Sequence, residues 1–248
     1  MKNFTLVPFT QTQMNLAEKC SLSWFYYRKK VPRVVSDDRY TLAGSIVHES
    51  IKDYYKVITD NPHSGVISGT FKEILERRWD PYKEKLKDLY NRKEKCKESF
   101  IKFEVGRLGR WQKFRPTLIE DKREAKLDGI DFFTILDTFW KEDGILVDWK
   151  TGNKVMIDTS DYIQGSIEKL ILEDNGFTVR KVLFIMLSSG KVIEMPHKPR
   201  EFILDRARAM IEIWKEQRYE RNKEGGCMFC NYQLRCQLEE KGICMWEI

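Results

Sequence analysis

The stretch Thr134–Gly152, TILDTFWKEDGILVDWKTG, reads as two strands joined by a tight turn. Phe132, Phe133, Ile135 and Phe139 make the first strand apolar, and Asp143-Gly144 closes the turn Lys141–Gly144, a strong hairpin signal. Ile145-Leu146-Val147 is an apolar run of the kind that fills a sheet interior. Asp137, Asp148 and Lys150 sit on this hairpin. Asp148 and Lys150 are two apart on an extended chain and so share a face. Acids so placed can hold a hard divalent cation through oxygen. Such a cation polarises a phosphodiester and yields hydroxide near neutral pH. A lysine beside it can orient the attacking water or offset charge on the phosphate. Asp-x-Lys alone is a short pattern, more often an ordinary charged hairpin, so the rest of the chain decides its meaning.

Outward from the hairpin, residues 117–149 read as three strands, with Asp128-Gly129 as a further turn. Residues 160–174 predict a helix, Val179–Leu187 a strand, Lys191–Glu194 its partner, and 198–222 a long amphipathic helix. Upstream, 41–58 predicts a helix capped by Thr41 with His48 in its middle, where a lone histidine is more often structural. Residues 70–115 predict basic helix interrupted at Pro81. Residues 10–30 predict two short helices meeting at Cys20, docked through the run Trp24-Phe25-Tyr26-Tyr27. Helices around mixed strands imply an α/β layer architecture.

The chain has 248 residues, 42% hydrophobic and 33% charged, as a globular domain with a sizeable core requires. No apolar run approaches the ~20 residues of a membrane span. The opening MKNFTLVPFTQTQ has no signal-peptide core, so a cytoplasmic, reducing compartment is expected. The net charge of +6 is localised: Lys72–Lys126 holds 18 Lys and Arg against 11 Asp and Glu, and the remainder 26 against 27. A local basic surface suits a polyanion, although a solvated helical face is an equal reading of charge alone. Aromatics interleave with these cations; most are expected to face the core.

Cys227, Cys230 and Cys236 form C-x2-C-x5-C behind Gly225-Gly226. A closed thiolate site needs a fourth ligand, which Cys244 or Cys20 could supply. Zinc usually shows two C-x2-C knuckles, whereas an iron–sulfur cluster tolerates one distant ligand. Cys96, in the basic helical stretch, is most simply unligated.

Together these residues resemble the RecB-like branch of the PD-(D/E)xK nuclease superfamily, in particular the CRISPR-associated iron–sulfur exonucleases and their phage and viral relatives. Gly44-Ser45-Ile46-Val47-His48-Glu49 resembles the G-x-x-x-H-E motif, whose histidine helps bind metal. Thr134-Ile135-Leu136-Asp137 resembles G-x-x-D, and Asp148–Gly152 resembles D-x-K-T-G. Cys20, Cys227, Cys230 and Cys236 fall where the family places four cluster ligands. Two departures stand out. Thr134 replaces a glycine, leaving Asp131 of Gly129-Ile130-Asp131 as a minor alternative to Asp137. The glutamine-plus-tyrosine helix motif keeps Gln164 but has Glu168 four residues on. Glu124 matches an acid often found before the second motif.

The resemblance implies a restriction-endonuclease-like core, a mixed sheet flanked by helices, over residues 31–222. A basic helical segment at 66–116 would be inserted in it, and a 4Fe-4S module would form from 1–30 and 223–248. It implies manganese or magnesium on His48, Asp137, Asp148 and the Trp149 carbonyl, with Lys150 assisting the water and Gln164 and Glu124 in support. The implied activity is exonuclease action on single-stranded DNA from a free end, 5′ to 3′ favoured, with Arg107, Arg110, Lys113 and Arg115 as candidate DNA contacts. A CRISPR adaptation factor trimming spacers with an integrase or other recombination partner, and a non-catalytic DNA-binding subunit, are the competing readings.

Overall fold

A computed structural model describes residues 8–33, 37–222 and 230–240, with side chains described to 237 in the last segment. The chain divides into two compact units, one of residues 38–125 and 132–198, the other of 1–37, 126–131 and 199–248.

The first unit carries helices α3 (Arg39–Val57), α4 (Ser64–Trp79), α5 (Tyr90–Gly106) and α6 (Thr159–Asp174). Its strands are β1 (Leu118–Leu127), β2 (Ile130–Trp140), β3 (Ile145–Lys150), β4 (Lys181–Met186) and β5 (Lys191–Glu194), hydrogen-bonded in that order. The β1–β2 turn, Asp128-Gly129, has both residues at positive φ, as a two-residue hairpin turn with native twist requires. β3 pairs antiparallel with β2 and parallel with β4, and β4 antiparallel with β5. The parallel step β3 to β4 needs a crossover, which α6 supplies. This is a mixed α/β fold, a five-stranded mixed sheet flanked by helices, consistent with a restriction-endonuclease-like core.

Alternation along β3 sorts its side chains. Val147 and Trp149 enter a core with Tyr54, Tyr55 and Phe100 from α3 and α5. Leu146 joins Phe184, Met186 and Leu172 on the other side. The opposite face receives α6 at Gly165, where a Cβ would lie 2.7 Å from Met195 Sδ and 3.1 Å from Val182 Cγ1. Gly165 therefore lets the helix sit close enough to the sheet for its polar residues to reach the end of β3.

The basic segment departs from expectation. Helix α5 stops at Gly106, and Arg107–Thr117 is irregular, with Gly109 at φ +67. Trp79, Phe100 and Phe114 are buried, while Tyr82 and Tyr90 are exposed.

The second unit contains α1 (Gln11–Lys19), α2 (Ser21–Arg28), α7 (Glu201–Glu216), α8 (Gln233–Glu240) and the tip of the β1–β2 hairpin. Thr10 caps α1, accepting from Gln13 N at 3.3 Å. Trp24 meets Trp214 edge-on at 5.6 Å, with Arg28 over Trp214 at 4.7 Å. Asp128 of the tip pairs with Arg200 at 3.1 Å and Arg208 at 3.2 Å. This unit is wider than the terminal segments expected from the sequence, because α7 and the tip join it. Helix α7 also ends earlier, at Gln217 in the left-handed region. No helix among the described residues is long and apolar enough to cross a membrane.

Candidate active site

The site is built at the end of β3. Asp148 and Lys150 share a face, as their spacing requires, and Asp148 is only 3% exposed. Lys150 Nζ lies 2.8 Å from Asp148 Oδ1. Helix α6 starts with a capping box: Asp158 accepts from Asp161 N at 3.3 Å, and the Asp161 side chain accepts from Asp158 N at 2.9 Å. One turn on, Gln164 bridges the pair. Its Oε1 accepts from Lys150 Nζ at 2.5 Å, and its Nε2 donates to Asp148 Oδ2 and, at 2.9 Å, to Glu168 Oε1. Asp161 stands 3.8 Å from Lys150 and also pairs with Lys154.

Beside this network a second group forms around Asp137. Pairing of β2 with β3 runs from Trp140↔Ile145 to Thr138↔Val147 and stops there. The Trp149 N–H donates instead to Asp137 Oδ2 at 2.8 Å. Asp137 Oδ1 faces His48 Nδ1 of α3 at 3.4 Å, and Glu120 Oε1 of β1 lies 3.9 Å from the same nitrogen. One ligand atom from each of His48, Glu120 and Asp137 falls within 4.8 Å of the others. Helix α3 comes this close through Gly44, where a Cβ would stand 3.0 Å from Thr151 Oγ1. Glu120 holds φ +46, a left-handed conformation uncommon for a residue with a Cβ.

Charge in this pocket is strained. Burial and repulsion from Asp137 push the Asp148 carboxyl up to about 6, against the pull of Lys150. Burial, then the charge of Asp148, drives Glu168 well above the usual carboxylate range. For His48 burial disfavours the imidazolium, yet Asp137 and Glu120 outweigh it and hold the ring protonated well above its ordinary value. Burial likewise opposes the charge on Lys150, and Asp148, Glu168 and Asp161 restore it. A site that crowds acids and holds a proton on histidine between two of them is one that a divalent cation would relieve.

Residues 8–237 match the PD-(D/E)XK nuclease superfamily. The chain belongs to that superfamily. A solved structure from Eubacterium rectale, described provisionally as an exonuclease, superposes with TM-score 0.57 at 12% identity, covering 92% of this chain and 87% of that one. That likeness is one of fold. No curated protein matches the chain.

PD-(D/E)XK nucleases use divalent metals, and the His48–Glu120–Asp137 group of this nuclease offers one nitrogen and two carboxylates to one. Among the residues expected from sequence, His48, Asp137, Asp148, Lys150, Trp149 and Gln164 come together. Asp148 is turned toward Lys150 and Gln164, so the three-ligand group forms without it. Asp131 is half-exposed beside Lys126, in the other unit, and takes no part. Glu124 is exposed, and Glu120 is the acid that joins the group. A signal for Glu120 was present: counting back from the two-residue turn Asp128-Gly129, an unbroken hairpin sets Glu120 opposite Asp137 and Glu124 opposite Phe133. Asp161 was missed, and Glu168 was noted only as a departure from the helix motif, because only the fold brings them to Lys150.

Arg107 is corrected. It is 4% exposed and forms a two-point ion pair with Glu104, both bonds 2.7 Å, so it is core structure and not a DNA contact. Arg110, Lys113 and Arg115 are exposed.

In the other unit Cys20, Cys230 and Cys236 line one cavity of about 420 Å³. Cys230 Sγ accepts from Tyr232 N at 3.4 Å and lies 3.7 Å from Ser23 Oγ. Burial, with the neighbouring charges of Cys230 and Cys20 adding to it, pushes the Cys236 thiol up despite Arg221. Cys227 and Cys244 lie outside the described residues. Cys96 is buried in the first unit's core.

Proposed function

We propose that the protein is a metal-dependent deoxyribonuclease acting on single-stranded DNA from a free end, with 5′ to 3′ polarity by family resemblance. The observation that carries this reading is the adjacency of a His–Glu–Asp ligand group to a charged lysine locked by a carboxylate and an amide. His48, Glu120 and Asp137 would hold manganese or magnesium, and family resemblance adds Asp148 and the Trp149 carbonyl as further ligands. The cation supplies Lewis-acid polarisation of the scissile phosphate and a lowered water pKa. Lys150 stays protonated, is aimed by Gln164, and offsets charge on the phosphate while orienting the water. The Asp137 carboxylate is itself oriented by the Trp149 N–H.

We further propose that Cys20, Cys230 and Cys236, with Cys227, hold a 4Fe-4S cluster that ties the N-terminal helices to the C-terminal segment. The shared cavity, with Cys230 and Cys20 close enough to raise the Cys236 thiol, fits a polythiolate ligand set. A brown protein absorbing near 400 nm after anaerobic purification supports it (a rough position for thiolate-bound iron); a colourless, zinc-loaded protein contradicts it.

The test of the activity is hydrolysis of single-stranded DNA, labelled at either end, by the wild type and Asp148→Ala. Metal-dependent progressive shortening of the 3′-labelled strand and early release of the label from the 5′-labelled strand, both lost in Asp148→Ala, are expected. Degradation that persists unchanged in Asp148→Ala overturns the assignment.

A further inference from the structure

Helix α3 carries Tyr40, Gly44 and His48 four residues apart, which places them along one face. The far end of that line is His48, in the metal-ligand group. Its middle is Gly44, against Thr151 of the motif that contains Lys150. Its near end is Tyr40, ~12 Å from His48 along the axis at the α-helical rise, and Tyr40 is 52% exposed.

Arg92 of α5 stands at the same end. Its Nε donates to the Thr151 carbonyl at 2.9 Å, and its guanidinium lies 5.3 Å from the centre of the Tyr40 ring. Basic residues nearby are neutralised: Arg39 pairs with Asp88, Lys85 with Asp38, Lys93 with Glu76, and Lys97 with Glu94. Among the described residues no carboxylate pairs with Arg92. Its orientation comes from a main-chain carbonyl next to the catalytic lysine, which leaves its full charge and its terminal nitrogens for another acceptor. An exposed aromatic face beside an uncompensated, oriented guanidinium is what a nucleotide with an unstacked base needs: a π-surface for the base and a fork for the phosphate.

We propose that Tyr40 and Arg92 form a nucleotide subsite next to the reaction centre, where one base of an unpaired strand stacks on Tyr40 and Arg92 takes an adjoining phosphate. This rests on the nuclease reading and names its substrate class. A base in a duplex is stacked on its neighbours and cannot offer its face to Tyr40, so the subsite selects single strands. Both are positioning residues; neither touches the reacting phosphate.

The test uses the full-length protein and single-stranded oligonucleotides, some with one abasic site stepped along the chain. Tyr40→Ala should bind intact single strands about tenfold more weakly, within the range of one base–aromatic stack, and Tyr40→Phe should bind as the wild type does. An abasic site at one position near the cut should cost the wild type about the same and cost Tyr40→Ala nothing further. Arg92→Gln should lower the slope of log affinity against log salt by about 0.7, the value for one phosphate on a single strand. Wild-type affinity in Tyr40→Ala, or an undiminished abasic penalty at every position, overturns the subsite. If the wild type cuts DNA and Asp148→Ala does not, the nuclease reading stands whatever Tyr40 shows. A wild type that neither binds nor cuts DNA overturns both.

Discussion

Two buried ionic clusters lie in the same unit of this molecule, and they are built on opposite plans. In one, Arg107 grips both oxygens of Glu104 at 2.7 Å, Tyr55 donates to Glu104 Oε1 at 2.8 Å, and Tyr54 donates to Oε2 at 3.4 Å. The guanidinium packs over Phe114 at 4.1 Å and Trp140 at 4.8 Å, and its one nitrogen without a hydrogen bond, Nη1, belongs to that stacked plane. One positive and one negative charge meet, and the acid's oxygens are all used. The other cluster gathers Asp137, Asp148, Asp161, Glu168 and Glu120 around Lys150, Lys154 and His48. There Glu168 Oε2 is buried without a hydrogen bond, and Asp148 Oδ1 has only an ion-pair contact with Lys150 lying off hydrogen-bond geometry. With its charges balanced and both oxygens of its acid hydrogen-bonded, the first cluster is structure. Crowded with acids and left incomplete, the second is where a cation belongs.

The contrast breaks most visibly under mutation. Glu104→Ala strands a buried guanidinium and should cost about 3–5 kcal/mol in denaturant unfolding, while the folded fraction still cuts DNA at the wild-type rate. A fold unaffected by Glu104→Ala would mean that the two clusters do not differ in kind.

Gln164→Ala removes the acceptor that aims Lys150. A fall of about 10–100-fold in kcat is expected, the usual loss when an orienting partner is removed, with KM little changed. A loss confined to KM would place Gln164 in substrate binding instead.

Half of this design was legible in the chain. The hairpin, Asp148 and Lys150 follow from period-two alternation, and Gln164 was singled out through the resemblance to the family's helix motif. The charge count over Lys72–Lys126 could not separate Arg107, folded into the core, from Arg110 on the surface, because composition does not say where a side chain points. Helix continuity past Gly106 was overestimated for a related reason: the aromatics of 107–115 still pack inward, yet Gly109 takes a left-handed turn that no helix sustains. Glu120 lay within reach of register arithmetic, whereas Asp161 and Glu168 reach Lys150 only once α6 packs at Gly165.

A smaller effect sharpens the same contrast through pH. Without metal, the Asp148 carboxyl titrates near 6 in the fold, against 3.8 for a free aspartate. The folded state thus holds its proton more tightly, so the stabilisation is complete below about pH 4 and disappears as pH rises through about 6. Melting in EDTA should drop across that window, and manganese should raise Tm more at pH 7.5 than at pH 5. An equal rise at both would show that cation binding does not compete with that proton.

The most direct measurement is calorimetric titration of manganese into the wild type and Glu120→Ala, without DNA. One tight site per chain in the wild type, weakened by an order of magnitude or more in Glu120→Ala, is the expected result. Binding of the same affinity and stoichiometry in both proteins would contradict the His48–Glu120–Asp137 centre.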